Sequence, residues 1–82
     1  MNVMNGNMKK LNKYPTFENF ITKVNSQLSS TMHMTIGQLY YDILYQMNPE
    51  LAKKVTNTDM DPYYVTDKNK MGKIINYLGE NW

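Results

Sequence analysis

Met34-Thr35-Ile36-Gly37-Gln38-Leu39-Tyr40-Tyr41, then Asn48-Pro49-Glu50-Leu51-Ala52 and Asp61-Pro62-Tyr63-Tyr64, form the stretch whose reading decides the fold of this 82-residue chain. Thr35 followed three residues later by Gln38 is a capping box, in which each side chain takes a backbone N–H that the start of a helix leaves unpaired. Met34 before the cap and Leu39 four residues into the helix are placed to form the accompanying hydrophobic staple. Ile36, Leu39, Tyr40, Ile43 and Met47 then recur as one apolar stripe at the helical period, with Tyr41, Leu44 and Tyr45 as a second stripe beside it. Apolar bodies on more than one face mark a helix that is central to the fold or holds a face for a partner. Gly37, near the start, lets another backbone come close.

Working outward, Asn48-Pro49 ends this helix and begins the next. The residue before proline is pushed out of the helical region, and proline suits the first helical position. Asn48 can cap a short third helix through Glu50, Leu51, Ala52 and Val55, with Lys53 and Lys54 complementing the dipole at its end. From Thr56 to Thr66 the chain reads as a loop turning at Asp61-Pro62. The rings of Tyr63 and Tyr64 either fold back over a small core or stay exposed as contact area for a partner.

A helix after Pro15 carries Phe17, Phe20, Ile21, Val24 and Leu28 on one stripe, with Thr16 as its cap and Glu18 in its first turn. Ser29, Ser30 and Thr31 offer side-chain hydrogen bonds that compete with helix and should stop it. The last helix takes Asp67 or Thr66 as cap and Met71, Ile74, Ile75 and Leu78 as its stripe. Gly79 is expected as its left-handed terminator. The terminal Trp82 is expected to fold back on the bundle, with a partner-facing anchor as the alternative. Residues 1–13, rich in Asn, Met and Lys around Gly6, show no sustained period and read as a flexible arm, with a frayed helix through Met1, Met4 and Met8 as the alternative. The expected architecture is therefore all-α, a compact bundle of about four short helices over 14–82 behind that arm.

Composition narrows the function. A chain this short draws little net stability from one core, and with no cysteine it has neither disulfide nor thiolate metal site to help. Homo-oligomerisation or a bound partner is the natural remaining source. Hydrophobic residues make up 41% of the chain, a globular composition, and no apolar run reaches the roughly 18 residues of a membrane span. No secretory signal opens the chain, so a cytoplasmic setting without membrane insertion is expected. The net charge of +2 rests on nine lysines and no arginine, which handicaps a nucleic-acid reader. Eleven asparagines beside those lysines fit an AT-rich genome of the viral or prophage kind.

Catalytic chemistry is missing. His33 stands alone, without the cysteine or neighbouring carboxylate that a zinc site or a triad requires. Asp59, Asp61 and Asp67 fail as a calcium loop, since Tyr64 and Lys70 hold the positions that need glycine and glutamate. No glycine-rich phosphate loop and no carboxylate pair can be nominated. No cofactor and no enzymatic activity are expected. A helix-turn-helix is disfavoured because Asn48-Pro49 leaves no room for its turn, and Glu50 sits where such motifs contact bases.

Ile36-Gly37-Gln38, Leu44-Tyr45, Asn48-Pro49-Glu50-Leu51-Ala52, Thr58-Asp59, Asp61-Pro62-Tyr63-Tyr64 and Asn81-Trp82 together resemble a pattern of small phage and prophage proteins over about the last fifty residues. Thr35-Ile36 stand where that pattern often carries arginine, which removes the basis for an anion-binding role. Size, composition and the missing membrane segment are similar to the cytoplasmic antiholin family of T-even phages. That resemblance implies a regulator that binds the soluble, cytoplasmic end of a holin and delays its pore-forming assembly. A host protein is the other partner class, with inhibition of host defence or nucleic-acid binding as alternative activities. Partner binding requires an exposed apolar face. Tyr41, Tyr45, Tyr63, Tyr64 and Trp82 are the candidate residues.

Overall fold

The computed structural model describes residues 15–30 and 34–82, in which four helices follow one another: α1 (Phe17–Gln27), α2 (Ile36–Met47), α3 (Pro49–Val55) and α4 (Lys68–Asn81). No strand occurs among the described residues, and the all-α expectation holds. The arm expected over 1–13 and the lone His33 lie outside them.

Each helix starts where a short polar side chain relieves its first turn. At α1 the full reciprocal box forms, with Thr16 Oγ1 accepting from Asn19 N–H (3.1 Å) and Asn19 Oδ1 accepting from Thr16 N–H (3.2 Å). Asparagine there does the work usually given to glutamate or glutamine. At α2 the box expected of Thr35 and Gln38 forms only in half: Thr35 Oγ1 accepts from Gln38 N–H at 3.1 Å, with no return bond from Thr35 N–H to the Gln38 side chain. Asp67 caps α4 by accepting from Asn69 N–H at 3.3 Å.

Asn48 serves two helices at once. Its N–H donates to Leu44 O (2.7 Å) at the end of α2, while its side chain accepts from Leu51 N–H (3.1 Å) at the start of α3. With φ at −149° and ψ at 75° it lies outside the helical region, as the following proline favours, and it is buried. Two helices are thus joined by one residue.

The core is a single cluster fed by all four helices, with Phe20, Ile43, Leu44, Ile74 and Leu78 among its fully enclosed side chains. Burying each such side chain stabilises the fold by roughly 1.5–3 kcal/mol relative to leaving it in water. α2 contacts both α1 and α3 and contributes Leu39, Ile43, Leu44 and Met47 to the cluster. It is the central helix.

Three packing details also differ from the sequence reading. Leu44, assigned to the flanking stripe, is fully buried, whereas Ile36, assigned to the core stripe, is 57% exposed. Ile36 occupies the first position of α2 on the side that faces a half-open groove with Leu28 and Ile75, while its neighbour Gly37 is already buried. Leu28, the last member of the α1 stripe, is 41% exposed for the matching reason at the other end of α1. Gly79 does not terminate α4: the helix runs through it to Asn81, and no described glycine has positive φ. A Cβ at Gly79 would stand 3.0 Å from the Phe17 ring, so the glycine admits that ring against the helix.

Candidate aromatic docking surface

The loop after α3 is built to hold its shape. Thr58 N–H and Thr58 Oγ1 both donate to Val55 O (2.9 and 2.6 Å), and Asp61 N–H donates to Thr58 O (3.1 Å). The Asp61 carboxylate accepts from Asn57 N–H (2.8 Å) and Tyr63 N–H (3.0 Å), bracketing the turn from within. Asn57 adopts φ of 64°, a left-handed conformation that asparagine tolerates better than most residues. Pro62 is fully enclosed and Val65 is buried, so the loop is pinned to the core on both sides of the tyrosine pair.

Gly37 sets how closely that loop meets α2. A Cβ at this position would overlap Pro62 O and lie 2.6 Å from Tyr63 O. Only a glycine at the start of α2 allows the backbone of residues 62–63 to lie against it. The sequence had shown that Gly37 permits a close approach, but not which segment makes it.

The result is an unbroken row of four rings. Tyr45 and Tyr41 have centroids 6.2 Å apart one turn from each other on α2, Tyr41 meets Tyr63 edge-on at 5.6 Å, and Tyr63 meets Tyr64 edge-on at 4.7 Å. Edge-to-face pairs of this kind each add about 0.5–1.5 kcal/mol beyond the area they bury. Tyr41 is fixed further by a 2.9 Å hydrogen bond between its hydroxyl and Thr56 Oγ1. Thr56 uses its one proton to donate to Ala52 O at 2.7 Å, so Tyr41 is the donor in that pair.

Exposure divides the row. Tyr41 and Tyr63 are half-buried and form its base, whereas Tyr45 is 46% and Tyr64 86% exposed. Tyr64 forms a wall of two clefts. One, of about 200 Å³, is lined by Tyr41, Thr56 and Tyr63; the other, of about 360 Å³, is polar and lined by Thr58, Asp67 and Lys70.

Trp82 stands apart from this row. Its indole Nε1 donates to Pro15 O at 2.7 Å, and its ring lies 5.6 Å from Phe17 and 5.1 Å from Phe20. Folding back on α1, as the sequence reading expected, the ring fastens the end of the chain to the start of the first helix.

The sequence reading did not single out a second apolar feature. Leu28, Ile36, Tyr40, Met71 and Ile75 line a half-open groove of about 400 Å³ between the end of α1, the start of α2 and the first half of α4. Burial pushes the Tyr40 phenol above its ordinary value of 10.0. The signal for this groove was the overrun of two apolar stripes, at Leu28 and Ile36, beyond the turns that pack.

Among the described residues no group of three His, Asp or Glu side chains is placed to hold a metal ion, and no helix is long and apolar enough to cross a membrane. No protein-family model, curated protein or solved structure matches this chain.

Proposed function

We propose that this chain is a non-enzymatic regulatory protein that works by binding another protein through the row Tyr45–Tyr41–Tyr63–Tyr64. The observation that carries this reading is the placement of Tyr64, 86% exposed, on a loop whose backbone is hydrogen-bonded at nearly every step. A large ring left in water gains much when a partner covers it, and a loop already in one shape loses little conformational freedom on binding. Tyr45 extends the same surface along α2, and the half-buried rings beneath keep both in register.

The specific partner we propose is the cytoplasmic end of a phage holin, making the chain an antiholin that delays lysis from the host cytoplasm. The residue pattern from Ile36 to Trp82 supports a phage or prophage protein, and the support for the narrower antiholin reading is the size, the composition and the lack of an apolar run long enough to span a membrane. The test is co-expression with a holin in cells whose lysis is followed by optical density. The protein is expected to postpone lysis, and Tyr64→Ala with Tyr45→Ala is expected to remove the delay at equal protein level. Unchanged lysis timing with the unaltered protein present would refute the holin as partner.

A further inference from the structure

The groove between α1, α2 and α4 has a bare patch of backbone in its lining. Gly72 lies there in the interior of α4, exposed, with nothing within 4 Å of where a Cβ would stand. A glycine inside a helix weakens it relative to alanine, and among the described residues no contact accounts for this one. Gly37 and Gly79 differ in that respect, since each admits a neighbour from its own chain. A helix backbone free of side chains, with apolar groups on either side, is where another helix can approach most closely. Those groups are in place. Lys68, Met71, Gly72 and Ile75 recur at offsets 0, 3, 4 and 7 and line the groove as one stripe of α4, and Ile36, 57% exposed, lines it from the start of α2.

The charges at the rim narrow the occupant. Asp67 and Lys68 are the charged residues that line the groove, neighbours in sequence and opposite in sign, so the rim has no net charge with which to select an acidic or a basic partner. It is complementary to itself. A two-fold axis sets Asp67 of one copy toward Lys68 of the other, and the reverse, while the apolar linings meet between them. Closed two-fold dimers are the commonest assembly of soluble chains. A second copy also supplies what this chain lacks, because 82 residues without a cysteine draw little stability from a single core. We propose that two copies associate groove to groove, with α4 crossing its twin at Gly72 and Ile36 of each copy covering the Met71–Ile75 stripe of the other. Val65, Thr66 and Asp67 form a wall shared with the polar cleft beside Tyr64, but no ring of the tyrosine row lines the groove, so the row stays outside this contact. Fewer residues line the groove than the roughly 20–30 a side of a standard interface, which makes the association weak and reversible.

Sedimentation velocity of the full-length protein, from micromolar to millimolar concentration, reads this association with no partner present and so separately from the proposed function. The unaltered protein is expected to pass from one chain toward two as its concentration rises. Ile36→Asp should hold it at one chain throughout, and it leaves α2 intact because a carboxylate suits the first turn of a helix. Gly72→Ala is the sharper variant. Its methyl group should weaken the dimer at least about tenfold while raising the melting temperature of the dilute protein, a combination that misfolding cannot produce. Tyr45→Ala with Tyr64→Ala should dimerise as the unaltered protein does. A single-chain mass at every concentration overturns the proposal, and so does a dimer that neither Ile36→Asp nor Gly72→Ala weakens. Loss of the dimer on removing Tyr45 and Tyr64 overturns it too, and assigns self-association to the tyrosine row.

Discussion

Two glycines show how much a single hydrogen in place of a side chain decides here. At Gly37 the missing Cβ makes room for Pro62 O and Tyr63 O, whereas at Gly72 nothing lies within 4 Å of where it would be. Gly37→Ala should therefore destabilise the protein by about 1–3 kcal/mol through forced backbone displacement. Gly72→Ala should stabilise it by about 0.5–1 kcal/mol through helix propensity alone. Urea unfolding of the two variants measures both, and equal effects of one sign would contradict the packing described. Asn48 is as exacting: Asn48→Ala leaves the Leu51 N–H without its acceptor in a buried joint and should cost about 1–3 kcal/mol in the same assay. Tyr40 gives a pH signature. Its folded pKa lies above the unfolded value near 10.0, so the unfolded chain loses that proton first as pH rises. The phenol's contribution to stability is full below about pH 10 and is lost as pH climbs through the folded value. Alkaline melting curves should fall less steeply for Tyr40→Phe than for the unaltered protein.

At the scale of the element, the loop from Thr56 to Val65 presents Tyr64 because Asp61 ties it from inside. Asp61→Ala removes the acceptor of both Asn57 N–H and Tyr63 N–H, and should speed amide hydrogen exchange at those two residues while the helices keep their protection. Protection unchanged at Asn57 and Tyr63 would show that other bonds hold the turn. The helices were legible in the sequence because what starts and stops them is local. Thr16, Thr35, Asn48 and Asp67 act within three residues of themselves, and the apolar period is written on each helix. The misassigned features depend on a distant neighbour. Gly79 reads as a terminator until Phe17 is seen against it, and Ile36 reads as core until it is seen to face the groove beside Leu28. The tyrosines were legible as a group of large rings beyond what the core needs. Their division into a half-buried base and two exposed members was not, because it follows from how the 62–63 backbone crosses Gly37.

On the scale of the whole molecule, one apolar cluster leaves two outward apolar features, the tyrosine row on α2 with its loop and the groove on α1, α2 and α4. The tyrosine row is fixed in shape before any partner arrives. Tyr41 and Tyr63 are poor places to probe it, since Tyr41 also bonds Thr56 and both rings are half-buried, so their loss disturbs the fold as well as the surface. Tyr45 and Tyr64 are the clean probes. The most direct test of the account is a calorimetric titration of a holin's cytoplasmic segment into the full-length protein and into a variant carrying Tyr45→Ala and Tyr64→Ala. The account predicts binding to the unaltered protein and at least about a tenfold weaker affinity for the variant, about 1.4 kcal/mol, with superimposable circular dichroism and thermal unfolding. Equal affinity for the two proteins would contradict the assignment of the tyrosine row, and no binding by either would contradict the holin as partner.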